Sequence, residues 1–421
     1  MNKISEVVAR RVWDSRGWPT VEVEVRLAGG RSGRGIAPAG ASRGLHEAVE
    51  LRDGGPALSG KGVSRALAAV RETIAPALIG HDVADQEGID RLMVALDGTP
   101  NRAHLGGNAL AATSMATLFA AAADAGLPLW KYLAGGKAVD LPLPQIQIFG
   151  GGAHAGRRID IQDLMVIAVG AKSFDRALEM TCDVYHAAGA LMAERGQLQG
   201  IADEGGWWPA FASNEEALDT LVKAIERAGF VPGEDVAIAL DIAASEFGEN
   251  GRYRLALEGR ELDSDAMSQM LAGWIDRYPI VSIEDPLAED DAKGLAAFTR
   301  AVGARVQIVG DDFLVTNAAR VEAAVEAKAC NAVLLKPNQA GTVTELRAAL
   351  RAAQAAGWGS IVSARSGETE DVAIVHLATG LNAGQLKVGS FARSERMAKW
   401  NEAVRIAETG LPFRGKAALA H

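Results

Sequence analysis

Six charged side chains stand at the ends of short apolar runs in the later part of the chain. Three carboxylates come first and three cations follow, in the order Asp241, Glu284, Asp311, Lys336, Arg365 and Lys387. If the runs are parallel strands of one sheet, their carboxyl ends share an edge, and the six charges meet there. Any one of them alone could be a helix N-cap or a loop ion pair. The succession favours a single site.

The residue types indicate the chemistry of such a site. Three carboxylates without a neighbouring Cys or His are hard oxygen ligands, which favour Mg²⁺ over zinc. The cations suit an anionic substrate, and Arg365 is followed by Ser366 and Gly367, which would favour a phosphate group. A lysine among other cations and near a metal ion is a candidate base, because positive neighbours lower its pKa. Together these features predict proton abstraction beside a carboxylate.

The elements that would position these residues fall into two parts. Residues 4–12 and 20–27 alternate apolar and polar side chains, as half-buried strands do. The Gly-rich stretch 33–44 is typical of a mobile loop, and residues 45–135 have mostly helical periodicity. We therefore predict a small α+β domain over residues 1–133.

The sequence pattern changes after the Gly- and Pro-rich stretch 134–144, which is a candidate linker. The apolar runs recur at intervals of 22–43 residues and alternate with Ala-rich helical segments. Such intervals predict repeated strand–helix units with a parallel sheet. Residues 140–421 have an ordinary length for an eight-stranded α/β barrel. A doubly wound open sheet is the alternative, although no G-x-G-x-x-G motif opens a helix.

Composition limits the class of protein. The 421 residues carry a net charge of −10, which argues against nucleic acid or an anionic membrane as a partner. The uncharged stretch 105–123 is dominated by Ala, so we expect a buried helix and no membrane span. Two cysteines are too few for a disulfide framework, and the N-terminus lacks a signal-peptide pattern. We expect a cytoplasmic enzyme.

The chain resembles the enolase (phosphopyruvate hydratase) family over nearly its whole length. The resemblance is carried by many ordered motifs along the sequence. They include DSRGWPT at 14–20, GASRGLHEAVELRDG at 40–54, GGAHAG at 151–156, DEGG at 203–206, SIEDPLAEDD at 282–291, KPNQAGTVTE at 336–345 and RSGETED at 365–371. The resemblance implies the enolase fold, with a small α+β N-terminal domain and a modified α/β barrel.

The resemblance also implies roles for individual residues. Asp241, Glu284 and Asp311 match the ligands of a tightly bound Mg²⁺, and Ser42 matches a loop serine at a second one. The remaining matches are to catalytic and substrate-binding positions. They comprise Lys336 as the base that takes the C2 proton, Glu204 as the acid for the C3 hydroxyl, His154 as a pocket histidine, Arg365 and Ser366 as the phosphate clamp, and Lys387 as the contact to the substrate carboxylate. The family further implies two Mg²⁺ per site and a homodimer or higher assembly.

The sequence departs from the family at several positions. Ala364 replaces a pocket histidine, and Asp163 is one methylene shorter than the glutamate expected there. Arg43 and Arg157 are additional cations near the site motifs. One hypothesis is an intact enzyme for 2-phosphoglycerate. Another is a diverged paralogue, such as a carboxyphosphonoenolpyruvate synthase, in which the arginines bind a further anionic group of a phosphonylated substrate. A third is a catalytically silent enolase-like binding protein.

Overall fold

A computed structural model of the chain describes residues 2–420. The N-terminal part begins with an antiparallel sheet of order β1-β2-β3, formed by Ile4–Trp13, Pro19–Leu27 and Ser32–Ile36. Its helices follow along the chain. They are α1 (Ser64–Ala68), α2 (Ala75–Leu78), α3 (Gln86–Asp97), α4 (Gly107–Asp124) and α5 (Leu129–Ala134), with a π-helical turn at Ala69–Ile74 between the first two.

Helix α4 packs closely on the sheet. A β-carbon on Gly33 would lie 2.1 Å from the backbone nitrogen of Ala120, and one on Gly35 would lie 2.6 Å from the carbonyl oxygen of Ala112. The first glycines of the 33–44 stretch therefore belong to strand β3, where they admit a helix at short distance. The expectation of a loop is wrong for this part of the stretch.

The second part is a closed barrel with the strand order β4-β5-β6-β10-β11-β12-β13-β14. The first three strands are Leu143–Gly150, Asp163–Ile167 and Ala237–Asp241. The last five are Ile280–Glu284, Gln307–Gly310, Ala332–Leu335, Gly359–Ser363 and Gly384–Gly389. A small separate sheet, β7 to β9, lies between β6 and β10 along the chain and comprises Gly248–Glu249, Arg252–Leu255 and Arg260–Asp263.

Strand β5 runs antiparallel to both of its neighbours, β4 and β6. The other barrel pairs are parallel. The predicted small α+β domain followed by a modified eight-stranded α/β barrel is confirmed. An all-parallel sheet is not, and the six charged run ends did not reveal β4 and β5.

Nine helices follow in the described part of the barrel. They are α6 (Phe174–Glu194), α7 (Asn214–Arg227), α8 (Ser264–Arg277), α9 (Ala292–Val302), α10 (Ala318–Ala327), α11 (Pro337–Ala340), α12 (Val343–Ala355), α13 (Ala373–Gly380) and α14 (Ser394–Ala407). Several begin at a side chain that accepts a backbone N–H, as Ser173 does for α6 and Thr342 for α12. These N-terminal caps determine the residue at which each helix begins.

The proposed boundary between the two parts falls in a stretch without regular structure. Helix α5 ends at Ala134 and β4 begins at Leu143. The uncharged stretch 105–123 coincides largely with α4, most of whose residues are buried. Across residues 2–420, no helix combines the length and apolarity that a membrane crossing requires.

Candidate active site

The charged residues singled out in the sequence lie at one end of the barrel. Asp241 and Glu284 are the last residues of β6 and β10, and Asp311 directly follows β11. Lys336 directly follows β12, and Lys387 lies within β14. All five side chains are buried. Burial of this many charges is tolerated only where opposite charges meet, so their pairing defines the site.

Two lysines bind the carboxylates. Lys387 Nζ lies 2.8 Å from Asp241 Oδ2, 2.8 Å from Glu284 Oε2 and 3.2 Å from Asp163 Oδ2. Lys336 Nζ donates to Asp311 Oδ2. The structure thus brings Asp163 to the same centre as the strand-end charges.

These contacts set the pKa of each lysine. Burial opposes the charge of Lys336, but the carboxylates of Asp311 and Glu284 outweigh it and raise the pKa. Burial is likewise outweighed at Lys387, whose pKa is raised well above its usual value by Asp241 and Glu284. The predicted lowering of a lysine pKa included a nearby metal ion; in the protein alone Arg365 acts to lower the pKa of Lys336, but the carboxylates outweigh it.

The carboxylates respond in opposite directions. Burial, with the nearby charge of Asp241, raises the pKa of Glu284 well above its usual value. Burial also acts to raise the pKa of Asp311, but the ammonium group of Lys336 outweighs it and the pKa is lowered. The strand-end carboxylates therefore differ in how strongly the protein alone stabilises their charge.

A cluster of three buried aspartates, Asp285, Asp311 and Asp312, lies beside this centre. Asp285 accepts hydrogen bonds from the backbone N–H groups of Asp311, at 2.9 Å, and Asp312, at 2.7 Å. Carboxylate oxygens of these three residues come close enough together to hold a cation. Burial raises the pKa of Asp285 and of Asp312 well above the usual range. Asp285 and Asp312 were not predicted as site residues, although each adjoins a predicted ligand.

The three predicted ligands supply the donor atoms that Mg²⁺ prefers, although in the described chain the carboxylate oxygens that lie within 4.8 Å of one another beside this centre are those of Asp285, Asp311 and Asp312. Asp241, Glu284 and Asp311 offer hard oxygen atoms, as this ion prefers. Glu284 Oε1 is buried and accepts no hydrogen bond, so one oxygen of the centre lacks a partner. An orphaned buried carboxylate oxygen is costly unless a cation or a donor faces it. The residues present therefore suit a divalent cation.

The anion side of the site is closed by a loop of the N-terminal part. Arg365 Nη2 donates to the carbonyl oxygen of Ser42 at 3.0 Å, and the Ala41 N–H donates to Ser366 Oγ at 2.6 Å. Arg365 is also paired with Glu47 at 3.0 Å. The structure thus brings Ser42, Arg365 and Ser366 together. Hydrogen bonds between the backbone of residues 41–42 and the side chains of Arg365 and Ser366 hold Ser42 in this position.

Glu47 and Gln339 connect the two sides and were not predicted. The Gln339 side-chain amide donates to Asp311 Oδ1 at 2.9 Å and to Glu47 Oε1 at 3.2 Å. Both residues lie inside motifs that carry the family resemblance. Their presence in these motifs could have identified them as site residues. Neither residue stands at the end of an apolar run, which was the pattern used to predict the site.

The predicted acid lies beside the histidine. His154 Nε2 is 3.8 Å from Asp163 Oδ1 and 3.8 Å from Glu204 Oε1. Gln147 donates to Asp163 and accepts from the Gly206 N–H at 2.8 Å, which ties the 203–206 turn to strand β4. The side chains of His154, Asp163 and Glu204 are buried, and their ligand atoms also form a candidate cation-binding group.

A cavity of about 20 Å³ remains between the two sides. Its wall includes the loop residues Gly40 to Ser42, the acid group and both lysines; its members are Gly40, Ala41, Ser42, His154, Gln162, Asp163, Glu204, Asp241, Lys336, Ser363, Ala364, Arg365, Ser366, Lys387 and Val388. This space holds about one water molecule. A larger ligand would require the wall, which the loop residues 40–42 help to form, to open.

The two additional arginines lie outside this wall. Arg43 pairs with Glu50, and Arg157 pairs with Glu246 at 2.6 Å. The side chain of Arg157 is 69% exposed. The structure therefore pairs both cations with carboxylates outside the wall of the central cavity, and Arg43 lines a small neighbouring cavity with Gly40 and Arg365.

Comparison with known proteins covers both parts of the chain. The family described as "Enolase, N-terminal domain" matches residues 4–133, and "Enolase, C-terminal TIM barrel domain" matches residues 138–417. The chain is 52% identical over 409 residues to a protein named Enolase 1 from Desulfitobacterium hafniense (strain Y51). That alignment spans 96% of this chain and 94% of the relative.

Proposed function

The chain belongs to the enolase family and is a lyase of that family, and we propose that it dehydrates a 2-phosphoglycerate-like substrate with the help of Mg²⁺. In this proposal the C2 proton is removed and the C3 hydroxyl leaves, which gives a phosphoenolpyruvate-type product. The observation that carries the proposal is that Lys336, Lys387, Asp241 and the Arg365–Ser366 clamp line one buried cavity, while Asp311 and Glu284 pair with its two lysines. The substrate is a small anionic phosphorylated carboxylate.

We assign the metal ligands to Asp241, Glu284 and Asp311, with Ser42 at a second ion, for two Mg²⁺ per active site. The orphaned Glu284 Oε1 supports the assignment. Bound there, divalent cations stabilise the negative charge that develops on a carboxylate when the adjacent carbon loses a proton. Asp285 and Asp312 add buried carboxyl groups next to Asp311, and the Asp285 carboxylate accepts hydrogen bonds from the backbone N–H groups of both Asp311 and Asp312.

Lys336 is the proposed base. Its ammonium form must first lose a proton, and its pairing with Asp311 opposes that loss. Compensation of the Asp311 charge therefore favours the neutral amine that accepts the C2 proton. Lys336 is held for this role because its backbone N–H donates to Thr316 Oγ1 at 2.9 Å.

Glu204 is the proposed acid for the leaving hydroxyl, with His154 and Asp163 beside it. Arg365 and Ser366 bind the phosphate, which would replace the contacts of Arg365 with Glu47 and Ser42 in part. Lys387 binds the substrate carboxylate. Since it contacts three carboxylates in this structure, a substrate carboxylate takes the place of one of them.

The test is turnover of 2-phosphoglycerate by the purified protein, followed by the absorbance of the enol product. We expect activity with Mg²⁺ and its loss with a chelator, restored when Mg²⁺ is added back. Absence of product with excess Mg²⁺ would overturn the proposal. Light scattering on the same preparation tests the homodimer or higher homo-oligomer that we propose with it, and fractionation of the source cells tests cytoplasmic localisation.

A diverged paralogue is a second candidate, favoured by one observation. Ala364 lines the cavity, so a methyl group stands where a hydrogen-bonding side chain is usual in the family. The placement of Arg43 and Arg157 in ion pairs does not add to it. Incubation with phosphonoformate, followed by phosphorus NMR, tests a phosphonate reaction. A new phosphonate product with little turnover of 2-phosphoglycerate would favour this candidate.

A catalytically silent binding protein is disfavoured because the base and acid candidates and Asp241 line one cavity, and the other two metal-ligand candidates pair with its lysines. Exchange of the C2 proton in heavy water separates the cases. Exchange without elimination would show a working Lys336 and an impaired acid side. A protein that neither exchanges the proton nor eliminates the hydroxyl would be the silent form.

A further inference from the structure

A cavity of about 410 Å³ lies where the chain passes from the N-terminal part into the barrel. Its wall consists of the end of α5, the connecting segment, one side of α12 and the end of α13. The residues are Leu133, Ala134, Gly135, Lys137, Ala138, Val139, Arg347, Leu350, Arg351, Gln354, Gly380, Leu381 and Asn382. The wall shares no residue with that of the candidate active site. The two cavities are therefore separate.

The wall is basic and contains no acidic residue. Lys137, Arg347 and Arg351 line the cavity, and within residues 2–420 none of the three has a carboxylate within ion-pair distance. Arg347 and Arg351 are one helical turn apart on α12, so they face the same side. We name these three residues the linker cations.

The linker cations are distinguished by lining one cavity whose wall carries no acidic residue. Some exposed arginines elsewhere pair with carboxylates, as Arg227 does with Glu194 and Arg277 does with Glu215, whereas Arg300 forms no ion pair within the described residues. Arg347 is half-buried. Its electrostatic neighbour is the phenol of Tyr132, which stays neutral because burial raises its pKa. Like charges placed together without a counter-charge repel, so this arrangement costs stability unless an anion joins it.

We propose that the linker cations form a binding site for a small anion with at least two negative charges, such as a phosphorylated metabolite. The cavity volume falls in the range of small-molecule sites, which is about 300–1,000 Å³. Two guanidinium groups and an ammonium group supply charge-assisted hydrogen bonds to phosphate oxygens. Because the wall includes the connecting segment and barrel helices, a bound anion would join the two parts of the molecule.

The test uses inorganic pyrophosphate as the probe, with the full chain in EDTA at 0.15 M salt. Binding is measured by isothermal calorimetry on the wild type and on R347Q/R351Q. We expect saturable binding by the wild type and at least about tenfold weaker binding by the double variant, since each lost charge-assisted hydrogen bond is worth about that much. Turnover of 2-phosphoglycerate should be unchanged in the double variant.

Two further variants locate the bound probe. Arg300→Gln on α9 removes an exposed arginine that has no ion-pair partner in the described chain, and it should leave binding unchanged. Arg365→Gln alters the active-site clamp and should also leave it unchanged. If R347Q/R351Q does not fold, Lys137→Gln replaces it, because Lys137 is exposed in the connecting segment.

Three results would overturn the proposal. They are absence of saturable binding to the wild type, equal binding by R347Q/R351Q, or an equal loss in Arg300→Gln. The last would show that the probe responds to general surface charge. Loss in Arg365→Gln alone would place the probe in the active site.

Discussion

At the mouth of the barrel, buried lysines and carboxylates hold one another in place. Lys387 contacts Asp163, Asp241 and Glu284, while Lys336 contacts Asp311. Breaking a buried pair by removing one partner leaves an uncompensated charge. Each of these residues therefore affects both the proposed chemistry and the local structure, and tests need readouts for both.

At the residue scale, we predict that Lys336→Ala lowers kcat for 2-phosphoglycerate by about 10²–10⁴-fold, the usual contribution of a general base. The measurement is steady-state turnover together with exchange of the C2 proton in heavy water. Lys293→Ala, on the exposed face of α9, is the matched control and should retain both activities. Proton exchange at the wild-type rate in Lys336→Ala would contradict the base assignment.

A second prediction at this scale concerns Glu284. Its pKa is raised by burial and by neighbouring carboxylates, so a cation that binds the charged form stabilises the folded protein. At 100 times its Kd, Mg²⁺ should add about 2.7 kcal/mol to the free energy of unfolding. Thermal unfolding with and without Mg²⁺ measures this gain. Glu284→Gln should lose most of it, and the exposed Glu249→Gln should keep it; an undiminished gain in Glu284→Gln would exclude Glu284 as a ligand.

At the scale of elements, the contact between β3 and α4 depends on missing side chains. A β-carbon on Gly33 would overlap the backbone of Ala120, which cannot move without shifting α4. We predict that Gly33→Ala destabilises the protein by about 1–3 kcal/mol or more, as overpacking does. Urea unfolding measures the change. Gly29→Ala is the control because its β-carbon meets nothing within 4 Å, and equal stability of the two variants would refute the packing argument.

Substitution by alanine is expected to affect activity at Gly40, whereas at Gly33 it affects stability. Its β-carbon would lie 2.0 Å from Arg365 Nη2, and hydrogen bonds to Glu47, Asn338 and Ser42 restrict that side chain. Gly40→Ala should keep the loop from seating on the clamp. We expect a fall in kcat/KM of about tenfold or more, since misplacement of positioning groups is costly, with little change in urea unfolding. Unchanged kcat/KM would show that loop closure on Arg365 is not needed.

Asp371 joins β3 to the segment that leads into α13. Its carboxylate accepts from the Ile36 N–H at 3.1 Å and from the Ala373 N–H at 2.6 Å. Burial raises the pKa of Asp371 to about 6, against about 3.9 in an unfolded chain. Between these values the folded protein holds a proton that the unfolded chain has released. The Asp371 contribution to stability is therefore complete below about pH 4 and is lost as pH rises through about 6.

We predict that the stability of the wild type relative to Asp371→Asn falls by about 1–2 kcal/mol between pH 4 and pH 7. Urea unfolding across this range measures the difference. Asp53→Asn is the control: burial is outweighed there by backbone hydrogen bonds from Arg65 and Ser64, and the pKa is lowered. That contribution is present above about pH 4 and is lost only in acid. A difference between wild type and Asp371→Asn that does not vary with pH would contradict the assignment.

At the scale of the whole molecule, the site is assembled from both parts of the chain. The N-terminal part supplies Ser42 and Glu47, and the barrel supplies Arg365 and the charged strand ends. The proposed linker cations lie at the covalent connection between the same two parts. Ligands at either site would therefore bear on how the parts are held together, and joint titration of pyrophosphate and Mg²⁺ would measure that coupling.

The sequence by itself determined the fold class of the molecule and predicted the chemistry of its site. Alternating and helical periodicities indicated the two parts, and charged residues at the ends of apolar runs predicted six site positions, because the carboxyl ends of barrel strands meet at one face. The antiparallel direction of β5 could not be predicted, since a five-residue buried strand has the same sequence pattern in either direction.

Only the tertiary structure decided which charges face one another. Periodicity places a residue on an element, but distances across the barrel set its partners. This is why Lys336 faces Asp311, why Glu47 reaches Arg365, and why Arg43 and Arg157 lie in ion pairs outside the cavity. The pKa of a buried lysine follows from its nearest charges, and those are fixed by packing between segments that lie far apart in sequence.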